Sequence, residues 1–462
     1  MKLIYDVKDR PKFGQLLVFS LQQLLAIMAA TIAVPNIIGN GLTPSAALFG
    51  AGVGTIVYLL FTKFKSPVFL GSSFAFIGSM TSAFAGGVSM ALGYLGLILG
   101  AVFAGLVYVV IAIIVKIAGV KWISKIMPPV VIGPTVAIIG LSLAGNAIGD
   151  LTGRAQFDSV TSSYIVDQKT ALSIVCGFVT LLVIMLCSIY GKKMMKLIPF
   201  VIGIVAGYAV AAVFTVIGNN TGNEAMQLIN FAPIVENFKS ITLSTFVSVP
   251  SFTFLTAIDG IGELSGSYIA TLAVAYVPVA FVVFAEHIAD HKNLSSIIDK
   301  ELLEDPGLSR TLLGDGVGSM AGALFGGCPN TTYGESVGCV AITKNASVVT
   351  ILGASVLSII ISFFTPFVLF LSSIPSCVMG GVCVALYGFI AVSGLKMLQK
   401  VDLDENRNLF TASVILIAGI GSFALTFGKI TLKTVACALI LGIIVNLIGQ
   451  KAKVLDKTEE NL

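Results

Sequence analysis

The stretch Gly326-Gly327-Cys328-Pro329-Asn330-Thr331-Thr332-Tyr333-Gly334-Glu335 interrupts apolar, helix-forming sequence with glycine, proline and hydroxyl side chains. A second stretch, Pro67-Val68-Phe69-Leu70-Gly71-Ser72-Ser73-Phe74-Ala75-Phe76, repeats the pattern, with two hydroxyl residues ahead of an aromatic. Backbone that leaves the helix at membrane depth is tolerated only where it is buried in protein or lines a cavity. Paired breaks at corresponding places in two halves of a chain point to a binding site near the bilayer midplane.

The rest of the chain fits that environment. More than half of its 462 residues are hydrophobic (56%), only 11% are charged, and Gly numbers 48. No soluble globular protein keeps that balance. Apolar runs of about twenty residues, each able to cross a ~30 Å hydrocarbon layer, recur along the sequence. The expected fold class is an all-α polytopic membrane protein. Its fourteen transmembrane segments are expected near 14–34, 43–62, 67–85, 93–115, 128–148, 170–190, 197–217, 270–289, 311–327, 328–343, 347–371, 374–395, 408–428 and 431–450. The first is read as a spanning helix and not as a removed signal. With the N-terminus inside, 22 of the 27 basic residues fall on the inner side, leaving only Arg154, Lys169, Lys239, Lys429 and Lys433 outside. That asymmetry is the expected signature of orientation, and an even number of crossings places the C-terminus inside as well. The two breaks are each third in a set of seven, and an odd number per half makes the repeat inverted. Two outside loops, about 149–168 and 218–269, read as polar, with Asp259 and Glu263 as solvated loop charges.

Several function classes drop out. The net charge of +4 resides in loops and implies no nucleic-acid partner. Cys176, Cys187, Cys328, Cys339, Cys377, Cys383 and Cys437 lack metal-ligand spacing and read as packing residues. No nucleophile triad, metal cluster or phosphate-binding glycine loop is present, so neither an enzyme nor a cofactor is expected.

The chemistry concentrates in Ala285-Glu286-His287-Ile288-Ala289-Asp290-His291 and in Glu335. Carboxylates inside membrane segments are costly and mark substrate or proton paths. Glu286 and Asp290, four apart, lie about 40° from each other around a helix. Two carboxylates so close in low dielectric do not both ionise cheaply, so the pair should hold one proton and exchange it when its surroundings change. The competing reading of Asp290 is a solvated group at the helix end, beside His291 and Lys292. Glu335 could accept N–H groups of a planar ligand while half-helix N–H groups donate to its carbonyls; otherwise it only caps a helix. Phe74 and Tyr333 could flank a flat ring or simply pack. His287, about 100° from Glu286, should bond a neighbouring helix, and Asp315 should tie the core together.

At these residues the chain resembles the nucleobase/ascorbate transporter family, and within it the bacterial uracil permeases. The resemblance runs nearly end to end, through Leu21-Gln22-Gln23, Gly71-Ser72-Ser73-Phe74-Ala75-Phe76, Ala285-Glu286-His287, Asp305-Pro306-Gly307, Asn330-Thr331-Thr332-Tyr333-Gly334-Glu335 and Tyr387-Gly388. It implies two inverted sevens, with short antiparallel strands in segments 3 and 10. A core domain would comprise 1–127 and 270–372, and a gate domain, often a dimer contact, 128–269 and 373–462. By position, Glu286 and Glu335 match the family's ligand-binding carboxylates. Phe74, Tyr333 and Gly334 match its ring and backbone contacts, and Ala30, Ser73 and Tyr387 match more peripheral ones. The implied activity is proton-coupled uracil uptake across the cytoplasmic membrane, with Glu286 and Asp290 in proton coupling. Glutamate at 335, where xanthine and urate carriers typically place glutamine, favours uracil over an oxidised purine. Two departures stand out. Asp290 occupies a position where some uracil carriers have histidine, and Ser336 replaces the usual asparagine after Glu335. The rivals are a purine permease of the same fold and an anion carrier of the sulphate/bicarbonate type, which would call for a basic residue or bare half-helix N-termini at the site in place of two buried glutamates.

Overall fold

A computed structural model describes residues 3–119, 121–192, 194–427 and 430–459. Lys2, Lys193 and Lys429 of the charge distribution lie outside the described residues. The chain is mostly helical: α1 (Phe13–Ile38), α2 (Pro44–Phe61), β1 (Leu70–Ser72), α3 (Ile77–Ala83), α4 (Met90–Ala118), α5 (Pro129–Ser142), α6 (Ala144–Leu151), α7 (Gln168–Tyr190), α8 (Pro199–Thr221), α9 (Gly266–Ile298), α10 (Leu308–Gly326), β2 (Asn330–Thr332), α11 (Gly334–Thr343), α12 (Val348–Ser362), α13 (Ser376–Leu398), α14 (Asn406–Ile420) and α15 (Thr434–Glu459). Among the described residues, eight helical segments are long and apolar enough to cross a membrane: α1, α2, α4, the α5–α6 pair, α7, α8, α9 and α13. α4 and α7 present Val110, Ile113, Ile117, Phe178, Met185 and Ile189 outward, as lipid-facing helices must.

Glycine decides how closely the helices meet. Along α2, Ala46, Gly50 and Gly54 recur every four residues and face Gly326, Gly322 and Gly318 of α10. A Cβ on Gly54 would stand 2.6 Å from the Gly318 carbonyl oxygen. Without a hydrophobic drive between helices in lipid, such small-residue seams let backbones approach and gain dispersion contact. α10 also packs on α4, α12 on α1 and α2, and α9 on α3 and α4. A second set has α13 against α5, α6 and α7, α7 against α8, and α14 against α5 and α15. The two sets touch where α9 meets α5 and α15 and where α1 meets α8 and α13.

The two sequence breaks meet in the first set. β1 and β2 pair antiparallel, with Leu70 opposite Thr332, Gly71 opposite Thr331 and Ser72 opposite Asn330. The ladder is extended at both ends by Ser73 N–H to the Pro329 carbonyl (2.9 Å) and Tyr333 N–H to the Phe69 carbonyl (3.2 Å). Three side chains fasten it to the helices. Asn330 Nδ2 donates to the Gly50 carbonyl at 3.0 Å, inside the α2–α10 seam. Thr55 Oγ1 accepts from Leu70 N–H at 2.9 Å. Ser336 Oγ accepts from Phe69 N–H at 2.9 Å and from the Gln23 amide of α1. The Ser336 hydroxyl is thus fully buried and positions β1.

Polar ties close one end of this set. Residues 4–9 run beside the α11–α12 turn, with Ile4 N–H to the Lys344 carbonyl (2.8 Å), Ala346 N–H to Tyr5 (2.9 Å) and Val348 N–H to Val7 (3.1 Å). Lys300 Nζ lies 2.6 Å from Asp6, and Lys65 Nζ lies 2.6 Å from Asp305. The Lys300 ammonium holds the Asp6 carboxyl below its ordinary range, so this tie is present at neutral pH and is lost as pH falls through the lowered value.

Two expectations need correction. α9 runs to Ile298, past the expected end at 289, because His291, Leu294, Ser295 and Ile298 are buried and continue its packed face. The connection 218–269 is not a plain polar loop. It contains short helices at Ala232–Asn237, Leu243–Phe246 and Thr253–Ala257 and exposes Ile241, Leu243, Val249 and Ile258. Its Thr, Ser and Asn content hides these apolar positions, which give it a face suited to the membrane interface. Asp259 and Glu263 are exposed, as expected.

A β-branched side chain in the seam should be felt at once. Gly322→Val would press on Asn330 and is expected to lower stability by about 1–3 kcal/mol. Gly145→Ala, with open space around its Cα, is expected to be neutral. Thermal melting of the two detergent-purified variants checks the contrast.

Candidate functional site

Where β2 hands over to α11, the chain turns from strand to helix at Tyr333, whose backbone is still extended (φ −108°, ψ 122°). The first-turn N–H groups of a helix lack intrahelical carbonyl partners and carry its positive end. Thr331, Thr332, Tyr333, Gly334 and Glu335 form one wall of a cavity of about 50 Å³. Ser73, Phe74 and Ala75, just beyond β1, form a second, and Glu286 enters from α9. Val136 and Ile139 of α5 and Ile390 of α13 close it from the other helix set.

Of the residues singled out from sequence, Glu286, Glu335, Phe74, Tyr333, Gly334 and Ser73 share this cavity. Two carboxylates carried by α9 and α11, far apart in sequence, thus face one small volume. Tyr333 is held by its hydroxyl, which donates to the Ser72 carbonyl at 2.6 Å. Gly71 lies directly beneath its ring, where any Cβ would collide. Phe74 is 9% exposed and takes the ring of Tyr387 edge-on, at 5.7 Å between centroids and 76° between planes.

Asp290 does not line the cavity. It lies one turn along α9 and accepts from the Thr332 hydroxyl at 2.8 Å. A Cβ on Gly334 would stand 3.7 Å from its other oxygen. It is partly buried against β2 and the start of α11, so the reading of a solvated helix end does not describe it. Its neighbour His291 is 1% exposed. Ala30 and Tyr387 are buried but are not among the cavity's lining residues.

Sequence reasoning missed Val136, Ile139 and Ile390. Apolar residues on apolar helices carry no mark that distinguishes a cavity wall from a lipid-facing surface. Thr331 and Thr332 were visible as the hydroxyl pair in the break, but the tie from Thr332 to Asp290 was not. No group of three or more His, Cys, Asp or Glu side chains suited to a metal occurs among the described residues.

An apolar cavity of about 150 Å³ is what admits benzene into a protein core. At about 50 Å³ this cavity is smaller than a six-membered ring requires. The wall of Val136, Ile139 and Ile390 belongs to the helix set that does not carry the strand pair.

The Thr332 tie makes its own forecast. Thr332→Val keeps the shape of the strand but strips the partly buried Asp290 of this donor, a loss of about 1–3 kcal/mol for an acceptor left unsatisfied. Ligand affinity should fall by about tenfold or more, read by isothermal titration, while Thr332→Ser should retain it.

Comparison with known proteins places this geometry in context. A family profile described as Permease family (Xan_ur_permease) matches residues 14–427. The uracil permease of Bacillus caldolyticus is 38% identical, covering 100% of this chain and 98% of that protein. That of Bacillus subtilis is 38% identical, covering 98% and 96%, and that of Escherichia coli K12 is 35% identical, covering 98% and 95%. Among solved structures, the transmembrane domain of the cyanobacterial bicarbonate transporter BicA superposes with a TM-score of 0.62 at 14% identity, covering 96% of this chain and 98% of that one. The murine anion transporter Slc26a9, inward-facing, gives 0.63 at 11% identity, covering 96% and 69%. At such identities the structural likeness speaks of the fold.

Proposed function

The chain belongs to the permease family whose profile spans residues 14–427, and from that premise we propose that it carries uracil across the membrane together with a proton, by alternating access. The observation that carries this reading is the meeting of Glu286 and Glu335 in one cavity, in a chain aligned end to end with uracil permeases. Uracil presents two N–H donors and two carbonyl acceptors on a flat ring. Carboxylates can take the N–H groups, the N-terminal turn of α11 can serve a carbonyl, and Phe74 and Tyr333 can flank the ring. Ser73 and Gly334 complete the contacts, with Ala30 and Tyr387 behind them. Hydrogen-bonding sites of this kind reject analogues that lack the matching group far better than apolar pockets do.

Proton coupling follows from charge. Three carboxylates at membrane depth cannot all ionise cheaply, and one that binds an N–H as an anion favours a proton on its neighbour. Glu286 and Asp290, on one stripe of α9, are the pair that would take up and release it. The anion-carrier alternative is disfavoured because two glutamates stand beside the α11 N-terminus and no Lys, Arg or His is among the cavity's lining residues, although the fold is shared with anion transporters. A purine permease of the same fold remains the nearest rival, and the glutamate at 335 argues against it.

The architecture we infer is fourteen spans in two inverted sevens. The core is 1–127 with 270–372, and the gate is 128–269 with 373–462. The helix sets described above support this division, since the strand pair and both glutamates belong to one set and Val136, Ile139 and Ile390 to the other. Placement in a bacterial cytoplasmic membrane with both termini inside is supported by the basic-residue asymmetry. The ties from Asp6 to Lys300, from Lys65 to Asp305 and from Ile4 to Lys344 agree, because they gather that charge on one face. A homodimer would form through the gate.

Glu286→Gln is expected to lower uncoupler-sensitive uracil accumulation by at least about tenfold, the cost of a lost charge-assisted bond. Radiolabelled uptake in a strain lacking its own uracil carrier measures it, and undiminished proton-driven accumulation would refute the assignment. In the same assay, unlabelled uracil should compete and xanthine or urate should not.

A further inference from the structure

α9 carries two polar stripes. Glu286 and Asp290 face the cavity and β2, while His287 and His291 lie about 100° around the helix and face away. His287 and Asp315 of α10 are 0% exposed and His291 is 1% exposed. The two imidazoles stack at 4.0 Å between centroids. His287 Nδ1 lies 2.6 Å from Asp315 Oδ2 and its Nε2 lies 3.0 Å from Thr311 Oγ1. His291 Nδ1 meets the His287 carbonyl at 2.8 Å, and its Nε2 meets the Tyr58 hydroxyl at 2.7 Å.

Proton accounting fixes what this cluster holds. The Thr311 hydroxyl spends its hydrogen on the Leu308 carbonyl at 3.1 Å, so toward His287 it accepts, and Nε2 bears a proton. A carboxylate oxygen and a bare ring nitrogen at 2.6 Å would repel, so a further proton lies between Nδ1 and Oδ2. Asp315 Oδ1 is buried with no hydrogen-bond partner among the described residues. An ionised carboxylate would leave that oxygen's charge uncompensated in low dielectric, whereas in the neutral acid it is only a carbonyl oxygen. The His291 Nδ1 proton goes to the His287 carbonyl, leaving Nε2 as an acceptor from Ser66 Oγ at 3.3 Å, which itself accepts from the Tyr58 hydroxyl at 2.7 Å.

We propose that Asp315 and His287 form a positioning pair that keeps one resident proton, donated from the Asp315 acid to His287 Nδ1, and that this proton is not the one transported. The pair clamps α9 to α10 and fixes the rotation at which Glu286 meets the cavity and Asp290 meets Thr332. This rests on the proton-coupled reading above. The other titratable groups around it are Tyr108 of α4, whose ring is 6.3 Å from that of His287, Tyr58 of α2, His291, and Glu286 and Asp290 on the adjoining stripe. Confining exchange to that stripe leaves the α10 face of the helix electrically neutral throughout the cycle.

Asp315→Asn tests the assignment, because the amide N–H can donate to Nδ1 as the acid does yet has no proton to give up. Uptake by D315N is expected within about threefold of the unaltered protein, sensitive to an uncoupler and with the same pH profile. D315A, which leaves Nδ1 without a donor, should lose about tenfold or more. Infrared spectroscopy of the purified proteins at alkaline pH gives a readout independent of transport. A protonated-carboxyl C=O band present in the unaltered protein should vanish in D315N. D315N as inactive as D315A at equal membrane abundance, uptake by D315N that no longer responds to the uncoupler, or no difference in that band would each overturn the proposal. Failure of the symport reading would look different, since the unaltered protein itself would then not accumulate uracil.

Discussion

Backbone amides and carbonyls that leave a helix within hydrocarbon must find partners, and in this protein two such segments find each other. The β1–β2 pair satisfies both breaks at once, and its extra bonds at Ser73 and Tyr333 carry the match to the points where helix resumes. Neither segment is tolerable alone at that depth. The rest of the site inherits its geometry from this pairing: the register sets Thr332 against Asp290, stands Tyr333 over Gly71 and delivers Glu335 on the first turn of α11. The glycine seam between α2 and α10 serves the same end, since only bare backbones leave room for Asn330 between them.

α9 shows how one helix separates two kinds of polar work. Its acidic stripe faces the cavity and β2, and its imidazole stripe is sealed against α2, α4 and α10. The separation costs nothing in helix geometry, because neighbouring residues point about 100° apart. It does oblige the sealed face to be satisfied internally, and the hydroxyls of Thr311, Tyr58 and Ser66 meet most of that demand. Asp315 Oδ1 and the Tyr108 hydroxyl are the buried atoms still without partners around it.

Much of this was legible in the sequence because the exceptions to membrane composition are so few. Glycine, proline and paired hydroxyls announced the breaks, and acidic residues in apolar helices announced Glu286, Asp290 and Glu335. What escaped was whatever looks ordinary in lipid. Val136, Ile139 and Ile390 are indistinguishable by type from residues facing acyl chains, and only tertiary packing assigns them to the cavity. Ala30 and Tyr387, carried over by resemblance, are buried close by without lining it. Ser336, a departure from the family pattern in sequence, is part of the strand's mooring, a role that depends on which way a side chain points from the first turn of a helix.

The hydrogen-bonded run of residues 4–9 along the α11–α12 turn carries a practical corollary. The amino-terminal segment is woven into the same bundle as the ligand cavity, and its pull is transmitted to the far end of the helix that bears Glu335. A fluorescent protein or affinity handle grafted just ahead of residue 3 would therefore act as a lever on the carrier rather than a passive label.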